Sequence, residues 1–222
     1  MGMWMFGKNP ELVAEEDALH GGKHPVLENP RPHAVLGTPI TGIWEDGQAS
    51  LIVGLGCFWG VEKLYWNLDG VLSTSAGYAG GVTPNPTYRE VCTGRTNHVE
   101  VVRVVYDPSR VSLEDLVRVG LEAHDPTQGY RQGNDVGTQY RSAFYTEGPN
   151  AAEEKQTVDK LVDAYGKKLQ ANGYGEVTTE IATLAETPAG EYYLAEDEHQ
   201  QYLEKNPQGY CPHHGTGIAC SI

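Results

Sequence analysis

The stretch SLIVGLGCFWGVEKLYWNL, residues 50–68, decides the fold. Ser50 to Leu55 is a short apolar run that reads as a strand entering Gly56. From Cys57 the pattern changes period: Val61, Leu64, Tyr65 and Leu68 recur at i, i+3, i+4 and i+7, one face of a helix. Cys57 therefore stands where a strand turns into a helix, inside Gly56-Cys57-Phe58-Trp59-Gly60. Unpaired N–H groups and the helix dipole favour an anion there, so the thiol pKa is expected to fall. A thiolate is the form that attacks electrophiles. The competing readings are a buried cysteine that happens to cap a helix, and a dinucleotide-binding loop. For the loop, Gly54, Gly56 and Gly60 miss the G-x-G-x-x-G spacing by one residue, and Trp59 fills the third slot.

Outward from this junction, Val99–Tyr106 (VEVVRVVY) is β-branched and reads as a strand. Ser112 caps a helix with Asp115 at N3 and with Leu113, Leu116, Val117 and Leu121 on its buried side. Residues 142–146 read as a strand. Asn150 to about Asn172 reads as the longest helix, with Val158, Leu161, Val162, Tyr165 and Leu169 on one face and Gly173 ending it. Val177–Leu184 reads as a further strand, and residues 191–205 as helical. The expected fold is α+β: a two-layer α/β sandwich with a mixed central sheet flanked by helices. Residues 1–47, rich in Pro, Gly, His and acid, read as an irregular N-terminal arm. Residues 48–206 read as a single continuous domain, and 207–222 as a flexible C-terminal tail.

The chain has 222 residues, and its 39% hydrophobic content suffices for one core. It carries 16 basic against 30 acidic side chains, a net charge of −14. That balance argues against nucleic acid, whose affinity comes from Lys and Arg neutralising phosphate, and against an anionic membrane. Four cysteines, at 57, 92, 211 and 220, are too few for a disulfide scaffold and lack zinc-finger spacing. No targeting signal is read, so the cytoplasm is expected, where thiols stay reduced unless they are catalytic.

Several other residues bear chemistry. Glu100 shares a strand face with Val102, Val104 and Tyr106, where a carboxyl keeps its proton and can donate it. Phe58 and Trp59, beside the sulfur, can cage a methyl or thioether group. The polar segment His124–Ser142 holds Asp135, Tyr140 and Arg141, while Tyr88 lies in Pro86-Thr87-Tyr88-Arg89. Phenols of this kind can hold a substrate oxygen by hydrogen bonds. Cys211 and Cys220, in the tail, are suited to resolve an oxidised Cys57 by thiol–disulfide exchange. A metal site from Cys211, His213, His214 and Cys220 is the rival, without regular spacing. Cys92 is expected to be buried and inert. A cysteine hydrolase, with Cys57 activated by His98 or His124 and oriented by Glu100 or Asp135, is the alternative enzyme class.

Taken together, GCFWGVEKLYWNLDGV (56–71), AGYAGG (76–81), NPTYREVCTGRTNHVEVVRVVYDP (85–108), GYRQGNDVGTQYRSA (129–143) and AEDEHQQYLEKNPQGYC (195–211) resemble the peptide methionine sulfoxide reductase A family. The resemblance implies that Cys57 attacks the sulfoxide sulfur and that Glu100 protonates the sulfoxide oxygen. Tyr88 and Tyr140 match residues that hydrogen-bond that oxygen, Asp135 one that orders the site, and Phe58 and Trp59 the wall around the substrate methyl. Methionine leaves, Cys57 remains as a sulfenic acid, and Cys211 closes a disulfide with it. Cys220 would then attack Cys211 and carry the disulfide outward to a thioredoxin-like reductant. The implied substrates are free and protein-bound methionine sulfoxide of the S epimer. No cofactor or metal is expected, and a monomer accommodates the whole cycle.

Overall fold

Strand β1 (Ala49–Leu55) runs into helix α1 (Phe58–Trp66) across the Gly56-Cys57 turn, as the opening stretch predicts. The computed structural model describes residues 10–41, 47–210 and 215–220. Its other strands are β2 (Val71–Ala79), β3 (Val99–Tyr106), β4 (Arg131–Gln132), β5 (Asp135–Val136), β6 (Ser142–Thr146), β7 (Glu180–Thr183) and β8 (Tyr193–Leu194). The helices after α1 are α2 (Tyr88–Val91), α3 (Leu113–Ala123), α4 (Ala151–Ala171) and α5 (Tyr202–Lys205). Ser112 and Asp115 form the capping box expected at the start of α3.

Six strands form one sheet in the order β7-β6-β1-β3-β2-β8. The β6–β7 pair is parallel and the other pairs are antiparallel, so the sheet is mixed. Alternation along each strand sorts side chains into two faces. Leu51, Val53, Val102 and Val104 join Tyr65, Leu116, Leu121, Leu161 and Tyr165 in the main core under the helices. Ile52, Val99, Val101 and Tyr145 point the other way, where Tyr192 and Leu184, the first residue of a three-residue 3-10 turn, cover them. No helix among the described residues is long and apolar enough to cross a membrane.

One strand was not read from the sequence, and two local readings change. Strand β2 has no apolar alternation to announce it, because Ser73, Thr74, Ser75 and Ala76 are small residues buried in the sheet. Residues 191–205 are not one helix: Tyr193 and Leu194 pair with Tyr78 and Gly77 on β2, and only Tyr202–Lys205 is helical. The open edge of β2 offers backbone partners that outweigh local helix propensity. Residues 215–220, read as part of a flexible tail, pack on α3 and α4. Tyr165 Oη donates to the Ile218 carbonyl at 2.9 Å, Lys168 Nζ to the Ala219 carbonyl at 2.7 Å, and Tyr174 Oη to the Thr216 carbonyl at 2.8 Å.

The N-terminal arm is tied to the domain through a buried carboxyl. Glu62 of α1 is fully buried and accepts from Gln201 N (2.7 Å), Gln201 Nε2 (2.8 Å) and Thr74 Oγ1 (3.2 Å). Burial pushes its pKa up to about 7. Thr74 Oγ1 in turn meets His33 Nε2 of the arm at 2.8 Å. Both Val35 N and Leu36 N donate to His33 Nδ1, so the ring proton sits on Nε2, pointing at Thr74. Replacing Glu62 by Leu strands three buried donors, and urea unfolding should show a loss of about 2–4 kcal/mol. A change under about 0.5 kcal/mol would mean that the network does not hold the arm.

Candidate active site

Gly56 makes the strand-to-helix turn at φ +100°, and a Cβ there would lie 2.8 Å from the side chain of Gln132. Only glycine takes this conformation without strain. Gln132 is itself fixed, accepting from Asp125 N at 3.1 Å and donating to the Asp125 carbonyl at 2.9 Å. The turn leaves Cys57 half-buried as the N-cap of α1, with no side-chain capping bond.

The next backbone N–H, of Phe58, donates to Glu100 Oε2 at 3.3 Å. Glu100 is 1% exposed, and its Oε1 is buried with no hydrogen-bond partner among the described residues. Burial, reinforced by the charge of Asp135, pushes its pKa up to about 8 against the opposing Phe58 N–H. The carboxyl is therefore mostly neutral at pH 7. With Oε2 accepting, the proton belongs on Oε1.

Tyr88, at the first turn of α2, and Tyr140 both have phenols raised by burial, with further contributions from Glu100. Both remain protonated donors. Tyr140 also feels Tyr88 and Asp135, and Tyr88 feels Cys57, so these groups lie within electrostatic reach of one another. Asp135 has its pKa raised by burial; its Oδ1 accepts from Tyr210 Oη at 3.3 Å and its Oδ2 is buried without a described partner. Tyr210 in turn feels both Asp135 and Cys57, which puts the last described residue before Cys211 at the mouth of the site.

Aromatic rings close one side. Phe58 is 1% exposed and stacks on Tyr88 with centroids 6.4 Å apart. Trp59, only partly buried, stacks on Tyr202 at 3.9 Å, and its Nε1 donates to His199 Nδ1 at 3.1 Å. The His199 ring lies 4.3 Å from that of Tyr88. Sequence reasoning assigned no role to Tyr78, Glu196, His199, Tyr202 or Tyr210. The block AEDEHQQYLEKNPQGYC holds four of them, and its juxtaposition of acid, histidine and tyrosines is the signal that was there to read.

The cysteines divide differently from expectation. Cys92 is exposed at the C-cap of α2, hydrogen-bonded to the Tyr88 side chain, and not buried core. The helix is a single turn that ends on buried Val91, and the C-cap that follows emerges at the surface. Cys220 is 2% exposed between α3 and α4; its N–H donates to Glu122 Oε1 at 2.5 Å, and burial raises its thiol pKa. The structure thus places Cys220 in the main core and not beside Cys57. Cys211, with His213 and His214, lies outside the described residues.

Neither histidine of the hydrolase alternative is available. His98 Nδ1 accepts from Gly81 N at 3.1 Å and its Nε2 meets the Thr83 carbonyl at 2.7 Å. His124 Nδ1 meets the Gly120 carbonyl and its Nε2 meets Ser142 Oγ, both at 2.7 Å. Both rings are 1% exposed, and burial lowers both pKa values to about 4. With both nitrogens engaged, neither ring can serve Cys57 as a base, and the hydrolase reading fails.

Residues 49–218 match the family model described as peptide methionine sulfoxide reductase. Among curated proteins, the chain is 64% identical over 219 residues to the peptide methionine sulfoxide reductase MsrA of Corynebacterium glutamicum (strain R), covering 99% of this chain and 98% of that one. Among solved structures, it is similar to methionine sulfoxide reductase A of Corynebacterium diphtheriae, at 64% identity and TM-score 0.88 over 96% of this chain and 99% of that one. Mxr1 of Saccharomyces cerevisiae in its reduced form matches at 33% identity and TM-score 0.68, covering 78% of this chain and 95% of that one. A family match across most of the described fold, with identity of this level over nearly the whole chain, settles the relationship: the chain belongs to the peptide methionine sulfoxide reductase family.

Proposed function

We propose that this protein reduces methionine S-sulfoxide, free and in proteins, to methionine. The observation that carries the reading is a neutral carboxyl, Glu100, one hydrogen bond from the residue after a helix-capping cysteine. A sulfoxide has an electron-poor sulfur and a basic oxygen, so its reduction needs a thiolate and an acid side by side, two groups held in opposite protonation states. Cys57 Sγ attacks the sulfoxide sulfur while Glu100 supplies a proton to the oxygen, which Tyr88 and Tyr140 hold by hydrogen bonds. Asp135 orders this polar end. Phe58 and Trp59 take the methyl group against apolar ring surface. In the protonated adduct the oxygen passes to Cys57 Sγ as its bond to the methionine sulfur breaks. The bond between the two sulfurs breaks as well, methionine departs with that electron pair on its sulfur, and Cys57 is left as a sulfenic acid.

Cys211 follows Tyr210, whose hydroxyl reaches Asp135, and one residue spans about 3.8 Å of chain. Attack of the Cys211 thiolate on the Cys57 sulfenic sulfur forms a disulfide and releases the oxygen as water. Cys220 can pass the disulfide outward only if residues 215–220 first leave α3 and α4. A dithiol protein of the thioredoxin type then supplies two electrons and two protons; yeast Mxr1 has been crystallised in complex with Trx2. The reaction needs no cofactor, runs within one chain, and suits a cytoplasmic monomer.

The test is stoichiometric. Mixed with excess methionine sulfoxide and no reductant, Cys211→Ser should release one methionine per chain and accumulate one sulfenic acid on Cys57, read by a dimedone adduct in peptide mass spectrometry. Sustained turnover of that variant with thioredoxin as the sole reductant would rule out Cys211 as resolver.

A further inference from the structure

We propose that Glu196, in the turn between β8 and α5, is a positioning residue for the Tyr88 hydroxyl. Its Oε1 accepts from the Tyr88 backbone N–H at 2.7 Å and its Oε2 accepts from Tyr78 Oη at 2.9 Å. Tyr78 lies directly opposite Glu100 in the β2–β3 ladder, and its ring faces Phe58 at 5.9 Å. One carboxylate thus joins the first residue of α2 to the strand beside the acid.

Helix α2 needs such an anchor. It has four residues, and its capping box engages only Thr87 and Glu90: Glu90 N donates to Thr87 Oγ1, and Thr87 N to Glu90 Oε2. The N–H of a first helical residue has no partner within its own helix, so the direction in which Tyr88 leaves the turn is set from outside. An acceptor-only carboxylate suits two converging donors, and charge-assisted bonds of this kind are the stiffer ones. The same residue fixes the far side of the ring. The Glu196 carbonyl accepts from His199 N at 3.0 Å, which sets the His199 ring 4.3 Å from Tyr88 and in bond with Trp59 Nε1. Glu196 therefore holds Tyr88 by its backbone and through the ring packed against it.

The inference rests on the assignment of Tyr88 to the sulfoxide oxygen. It is tested with N-acetylmethionine sulfoxide and dithiothreitol, comparing Glu196→Ala in the Tyr88 and Tyr88→Phe backgrounds. With Tyr88 present, Glu196→Ala should lower kcat about 10-fold with KM changed less than about threefold; in Tyr88→Phe the same change should cost less than about twofold. Glu196→Gln keeps the volume and one acceptor; its loss, about threefold, should likewise disappear in Tyr88→Phe. A purely structural role predicts equal losses in both backgrounds, and that result, or no loss at all, overturns the proposal. If Tyr88→Phe alone leaves kcat unchanged, the assignment of Tyr88 itself falls, and the proposal with it.

Discussion

A Cys57→Ser chain should reduce methionine sulfoxide at least about 10⁴-fold more slowly than the wild type in dithiothreitol, because a serine hydroxyl stays protonated and cannot become a sulfenic acid. The effect should be purely chemical. Cys57 makes no side-chain capping bond, and serine is a favoured N-cap residue, so circular dichroism and thermal unfolding should match the wild type within error. The change also separates this thiol from the other cysteines. Cys92 is exposed and Cys220 is buried against α3 and α4, and neither sits at the start of a helix beside a neutral carboxyl. Substantial turnover by Cys57→Ser would move the chemistry to another cysteine and end the present reading.

The second large effect concerns the acid. Glu100→Gln keeps an oxygen to accept from Phe58 N but has no proton to give, and kcat should fall about 10²- to 10⁴-fold. Its pH signature is as informative as its size. The folded carboxyl is raised to about 8 by burial, so the protonated, donating form dominates below that pH and is lost above it. The wild-type rate should therefore decline as pH rises through about 8, and this basic limb should be missing from the residual rate of Glu100→Gln. A wild-type rate that climbs steadily to pH 10 would show that Glu100 is not the donor. Asp135 contributes to the shift through its charge, so Asp135→Asn should move the limb toward lower pH.

Much of this was legible along the chain because it is local. A change of hydrophobic period at Gly56 marks the β1-to-α1 turn, and a glutamate among β-branched residues marks a carboxyl with no solvent. The capping box of Ser112 and Asp115 needs only four residues. Where the sequence was silent or misread, the deciding partner is remote. Strand β2 is built from small polar residues whose burial depends on β3 and β8. Residues 193–194 became strand because the edge of β2 was open. Cys220 is held by Glu122, 98 positions away, and its neighbour Ala219 by Lys168, 51 positions away.

The sequence by itself determined the setting of Cys57 and the strand face of Glu100, since a strand–glycine–helix junction and an apolar alternation are properties of neighbouring residues. Only the tertiary structure decided which groups meet. It pairs Glu100 with Phe58 N, brings His199 from 140 positions away to the Trp59 indole, and engages both nitrogens of His98 and His124. Hydrogen bonds and desolvation act over a few ångströms of space whatever the separation along the chain. The protonation state of a carboxyl and the availability of a histidine are therefore fixed only once the sheet has closed around them.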